Sequence, residues 1–214
     1  MRALAIVATL AVCAAPIAAH ADTGYSNLFT IDLTGTVVYV ALGDSYSSGE
    51  GAGDYELGTD EYWNDDDDGN GFFGNRCHRS ANAYSRSTSP FVEAYLGNDV
   101  PVGRSSFFAC SGAVTQNVSS AGYPRFGEIP QLDNPEVGPD VDLITLTIGG
   151  NDALFASIIL WCLEDGPCAD FEPVPGHPLI QTLPLHIQQN VESLLVDLFE
   201  EAKLSAPNAT VLVL

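Results

Sequence analysis

Three short polar clusters, Gly43-Asp44-Ser45, Cys110-Ser111-Gly112 and Gly149-Gly150-Asn151-Asp152, each follow directly on an apolar run. Between them they hold most of what acyl transfer requires: a nucleophile and donors aimed at a developing oxyanion, a base being the remaining part. Ser45 supplies a hydroxyl at a glycine-containing turn. Gly112 supplies a backbone N–H that no side chain shields. Asn151 supplies an amide NH2 group. Serine, glycine, asparagine and aspartate are also the ordinary residues of turns, so no single cluster decides the matter. Their common setting does.

That setting is a series of short β-rich runs. Thr36-Val-Val-Tyr-Val-Ala-Leu42 leads into Ser45, Ser105-Ser-Phe-Phe-Ala109 into Gly112, and Val141-Asp-Leu-Ile-Thr-Leu-Thr-Ile148 into Asn151; Thr210-Val-Leu-Val-Leu214 is a fourth. Near-continuous apolar runs of this length mark strands buried on both faces. Ile187, Val191, Leu194, Leu195, Leu198, Phe199 and Ala202 recur at helical spacing and predict a helix from about His186 to Lys203. A second helix is expected over Ser89 to Leu96. Strands alternating with helices define the α/β class, a three-layer αβα sandwich around a central parallel sheet. Ligands of such sheets bind beyond the carboxyl ends of the strands, where all three polar clusters fall. The stretch from Gly49 to Gly74 is a long polar loop without periodicity, a lid or wall of the site.

Residues 1–21 stand apart from this pattern. Arg2, the apolar stretch Ala3 to Ala19 and the small-x-small sequence Ala19-His20-Ala21 form a secretory signal peptide. Residues 22–214 then make one domain, secreted and without stable membrane insertion. Four cysteines remain beyond the signal peptide, Cys77, Cys110, Cys162 and Cys168, and an even number in an exported chain favours disulfides. Three pairings are open, and sequence alone does not choose among them. The short Cys162-to-Cys168 loop favours a local bridge, which leaves Cys77 for Cys110. Without a close C-x-x-C pair, zinc is disfavoured, and no metal or other cofactor is expected. With 28 acidic residues against 7 basic ones the net charge is −21. Such a field repels nucleic acid and anionic membrane surfaces and suits neutral substrates better than anionic ones. A monomer acting on a neutral small molecule or lipid is the expectation.

Val-Ala-Leu-Gly-Asp-Ser-Tyr-Ser-Ser-Gly-Glu-Gly (40–51) resembles the first block of the SGNH (GDSL) hydrolases, Phe108-Ala-Cys-Ser-Gly-Ala113 the second, and Thr147-Ile-Gly-Gly-Asn-Asp152 the third. Cys77-His78-Arg79-Ser80 with Ala83-Tyr84 is similar to the secreted actinobacterial lipases and esterases of that family. The resemblance covers about Thr36 to Leu214. It implies a flavodoxin-like fold and a serine esterase or lipase with Ser45 as nucleophile. The oxyanion hole would then be the backbone N–H groups of Ser45 and Gly112 and the amide of Asn151. It also implies the pairs Cys77–Cys110 and Cys162–Cys168. A sugar deacetylase on the same fold is an alternative.

The family's fourth block, an Asp-x-x-His that carries the base, has no counterpart here. Beyond the signal peptide the histidines are His78, His177 and His186. His177-Pro178 precedes the helix and lacks the aspartate, His78 suits a structural or substrate-contact role, and His186 is expected at a helix start, exposed. The expectation is an amino-terminal portion of a longer product, nearly inactive and poorly stable by itself, or a non-catalytic remnant. Other signals are weaker. The stretch Asn64 to Gly71 places Asp65 to Asp68 like half of a calcium loop, but the twelfth position is Asn75 and not the required Glu; a solvated acidic loop is expected. Gly49, Gly51 and Gly53 lack dinucleotide-binding spacing, and no G-x-S-x-G elbow is present.

Overall fold

The computed structural model describes residues 36–60, 75–86, 102–122, 127–164, 171–172 and 175–214, all within the unit Leu33–Leu214. The signal peptide, the acidic stretch Asn64 to Gly71, the helix expected over Ser89 to Leu96, and Cys168 lie outside the described residues.

Four strands form one parallel sheet: β1 (Val37–Gly43), β2 (Val102–Phe107), β3 (Leu143–Thr147) and β4 (Thr210–Val213), in the order β2-β1-β3-β4. β-Branched residues dominate β4 and open β1, where Val37, Val38 and Val40 flank Tyr39, because they pack well on a pleated surface. Alternate residues of β1 serve opposite faces. Val40 and Leu42 join Ile144, Leu146, Val118, Leu198 and Ala202 in one buried cluster, while Val37, Tyr39 and Ala41 join Leu143 in another. β1 and β3 are therefore buried on both sides, as their unbroken apolar runs require, whereas β4 is only half-buried and its Val213 is exposed. β2 begins at Val102, three residues before the run that announces it, and ends before Phe108, whose N–H still donates to Ala41 O (2.9 Å).

Five helices are described: α1 (Ser45–Ser48), α2 (Thr115–Ser119), α3 (Phe155–Glu164), α4 (Leu179–His186) and α5 (Glu192–Ser205). Periodicity starts the last helical stretch near His186; the structure starts it at Leu179 and joins α4 to α5 through a π-helical turn, Ile187–Val191. Pro184 is the reason for the difference. A proline signals a break, but here the neighbouring wide turn absorbs it, and the Ile187 N–H donates to both Leu183 O and Pro184 O. α3 was not foreseen, since Phe-Ala-Ser-Ile-Ile-Leu-Trp-Cys-Leu is apolar nearly all round and shows no face.

Strand order reverses at β1, with β2 on one side and β3 on the other. Such a reversal opens a crevice at the carboxyl ends. The three polar clusters leave β1, β2 and β3 at that edge.

Candidate active site

Gly43 ends β1 with φ +127°, and a Cβ there would lie 2.3 Å from Thr147 O and 2.8 Å from Ser47 Oγ. Only glycine fits so close an approach to β3. Its peptide is held from three sides. Gln131 Oε1 accepts from the Gly43 N–H (2.7 Å), Gln131 Nε2 donates to Gly43 O (2.8 Å), and the Cys110 N–H donates to the same carbonyl (3.0 Å). The chain then turns into α1. Asp44 caps this helix, its Oδ1 accepting from the Tyr46 N–H (3.1 Å), and its own N–H donates to Thr147 O (2.9 Å). Ser45 follows, half-buried, at the first helical position. Among the described residues its hydroxyl bonds to no side chain.

Asp44 is itself buried, and burial pushes its carboxyl above the ordinary carboxylate range, with the nearby Asp152 adding to the rise and the hydrogen bond from Thr147 opposing it. An ionised carboxylate only accepts, so Thr147 Oγ1 donates to Asp44 Oδ1 (2.8 Å). Ser47 Oγ must then donate to Thr147 Oγ1 (2.7 Å), and Tyr84 Oη to Ser47 Oγ (2.6 Å). The result is a one-directional chain from Tyr84 to Asp44 beneath the serine.

The second and third turns are fastened to each other. Gly112, exposed with φ +81°, adopts a conformation that side chains disfavour. Asn151 Nδ2 donates to Ala113 O (2.8 Å), so one of its two amide hydrogens is used in orienting the group. Asp152 accepts from Thr115 Oγ1 (2.7 Å) and the Thr115 N–H (3.1 Å) at the start of α2. The first turn reaches the second through Glu50, whose N–H donates to Ser45 O (3.0 Å) and whose Oε2 accepts from Ser111 Oγ (2.5 Å). Ser45, Tyr46 and Glu50 line a cavity of about 270 Å³. Thus the structure brings Ser45, Gly112 and Asn151 to one edge of the sheet on turns bonded to one another.

A disulfide joins Cys77 to Cys110, and Cys162 is also disulfide-bonded, to a partner outside the described residues. Beside the first bridge, the Ser111 N–H donates to Cys77 O (3.0 Å) and Arg79 Nε to Ala109 O (2.9 Å), while the same guanidinium pairs with Glu128 (2.8 Å). His78 sits nearby, Nδ1 bonded to Glu50 Oε2 (2.5 Å) and ring stacked on Tyr55. His186 corrects the expectation of an exposed residue at a helix start. It closes α4, is half-buried, donates from Nε2 to Asp152 O (2.9 Å), and accepts at Nδ1 from Asn190 (3.2 Å). His177 is exposed. No histidine among the described residues is bonded to Ser45. No group of His, Cys, Asp and Glu side chains among them is arranged to hold a metal ion.

Gln131 and the Glu50–Ser111 link were not foreseen from sequence. Neither has a local signal, because each bond spans tens of residues.

The parallel sheet thus carries a serine and a buried carboxylate at the end of β1, a glycine turn after β2 and an amide donor after β3, all at one edge. The chain belongs to the GDSL-like lipase/acylhydrolase family, whose model matches residues 39–208. A lipase of Streptomyces rimosus is 32% identical over 82% of this chain and 51% of that protein. Lipase 2 of Streptomyces coelicolor is 35% identical over 78% of this chain and 48% of its own length. The crystal structure of an extracellular lipase from S. rimosus superposes with a TM-score of 0.56 at 30% identity, covering 83% of this chain and 59% of that one. A phospholipase A1 from Streptomyces albidoflavus gives 0.55 at 28% identity, with 83% and 58% covered. The chain spans about half the length of the curated relatives it matches.

Proposed function

We propose that this chain carries the nucleophile and oxyanion hole of an exported serine esterase or lipase. Ser45 Oγ attacks the ester carbonyl carbon, its proton passes to a base, and the alcohol leaves with the acyl group held on Ser45; water then releases the acid. The backbone N–H groups of Ser45 and Gly112 and the Asn151 amide receive the oxyanion. The observation that carries this reading is the fastening of the three turns to one another, which holds the donors in place before a substrate arrives. Export is supported by residues 1–21, by the Cys77–Cys110 bridge, and by the extracellular S. rimosus relative. No helix among the described residues is long and apolar enough to cross a membrane. The domain is read as residues 22–214.

The base is assigned to none of His78, His177 and His186, since the first and last are engaged elsewhere. That observation favours a second reading, a non-catalytic remnant. A fluorophosphonate probe separates the two. Stoichiometric labelling that Ser45→Ala abolishes is the expected result. Absence of labelling throughout pH 6 to 9 would sink the enzyme reading and leave the remnant.

A further inference from the structure

The wall of the cavity at Ser45 has a chemistry that ester cleavage itself does not require. Tyr46 is 69% exposed, and the Glu50 side chain is 41% exposed. Both hydrogen bonds that hold the Glu50 carboxylate, from Ser111 and from His78, end on Oε2; among the described residues Oε1 has no partner. Among the described residues, the charged groups paired around Glu50 are His78 and, 3.9 Å beyond the other ring nitrogen, Asp60. Even with the imidazole protonated, two carboxylates face one cation, so the wall keeps a negative balance. It lies in a protein of net charge −21, whose field concentrates cations and depletes anions at a cleft of that sign. An exposed phenol beside a carboxylate is the pairing that receives a soft cation, the ring through its face and the carboxylate through its charge.

We propose that Glu50 and Tyr46 make this site select esters that carry a cationic group, a quaternary ammonium above all, close to the scissile carbonyl. The proposal rests on the reading of Ser45 as nucleophile, because the cavity matters to selectivity only if the reacting carbonyl sits there. Glu50 is a specificity residue on this account. Its carboxylate does not touch the reacting atoms.

An isosteric substrate pair tests it: butyrylthiocholine and its uncharged analogue 3,3-dimethylbutyl thiobutyrate, assayed on the full chain. At low ionic strength kcat/KM favours the cationic ester by about fivefold, the size of an exposed cation–π contact and a screened ion pair. Half-molar salt reduces that ratio. Glu50→Gln, which still accepts the Ser111 and His78 bonds, lowers it to about twofold, the share left to the Tyr46 ring. Equal kcat/KM for the pair in the wild type, or a preference that Glu50→Gln leaves undiminished, overturns the proposal while the esterase reading stands. If neither ester is cleaved, the fluorophosphonate probe judges the esterase reading, and tetramethylammonium chloride decides the wall's selectivity. Shifts of the Tyr46 resonances that are larger in the wild type than in Glu50→Gln support the proposal; no shift in either overturns it.

Discussion

On the proposed reading, Asn151 is a donor aimed before it is needed. One amide hydrogen is fixed on Ala113 O, which orients the other without any reorganisation during the reaction. Replacing it should therefore act on the transition state and not on substrate binding. Asn151→Ala is expected to lower kcat on a short-chain ester by about 10²–10³-fold with KM little changed and the circular dichroism spectrum intact. An unchanged kcat removes Asn151 from the mechanism. Residues of this kind are legible in sequence because their chemistry is local: a serine, a glycine and an asparagine each stand directly after a strand. Gln131 is not legible. It sits 88 residues from the glycine it grips, and nothing in Ile-Pro-Gln-Leu announces that both of its amide groups face a buried peptide. Glu50 escapes notice for the same reason, its partner Ser111 being 61 residues away.

Between elements, the bond chain from Tyr84 through Ser47 and Thr147 to Asp44 ties α1 to β3 beside Ser45. Its terminus is a carboxyl whose folded pKa is raised, chiefly by burial. The native state consequently holds that proton more tightly than the unfolded chain does. Asp44 thus favours folding below its unfolded pKa, and that contribution is lost as pH rises through the folded value. Asp44→Asn keeps an oxygen for Tyr46 and Thr147 and cannot ionise. Thermal midpoints should show the variant gaining on the wild type as pH rises from the unfolded carboxylate range, about 4, with the gain levelling off above the folded value. A difference that is flat with pH, or that shrinks, would refute the burial argument. The elements themselves were readable to different degrees. Two-sided burial writes a continuous apolar run, which is why β1 and β3 fall within two residues of expectation; β4 is half-buried and is legible from its β-branched residues instead. Helices were harder. Amphipathic α5 has a face, α3 has none, and α4 contains a proline that local rules treat as a stop.

At the scale of the whole molecule the sheet must be held together against a charge of −21, whose self-repulsion disfavours the compact state. The Cys77–Cys110 bridge works against that tendency by closing a separation of 33 residues, so the unfolded chain loses freedom that the folded one never had. It does so beside the second turn, yet the turn has other supports: Ser111 on Cys77 O, Arg79 on Ala109 O, and Cys110 on Gly43 O. Stability and site geometry should therefore separate. Removing the bridge as Cys77→Ala/Cys110→Ala, and not with a reductant that would also open the bond at Cys162, is expected to cost about 2–5 kcal/mol. The loss would appear as a lower urea midpoint, while Ser45 still takes the fluorophosphonate probe under native conditions. The backbone bonds around Ser111 hold the turn in place, whereas the disulfide narrows the unfolded ensemble. A midpoint shift worth less than about 1 kcal/mol would contradict that division, as would probe labelling lost in step with stability.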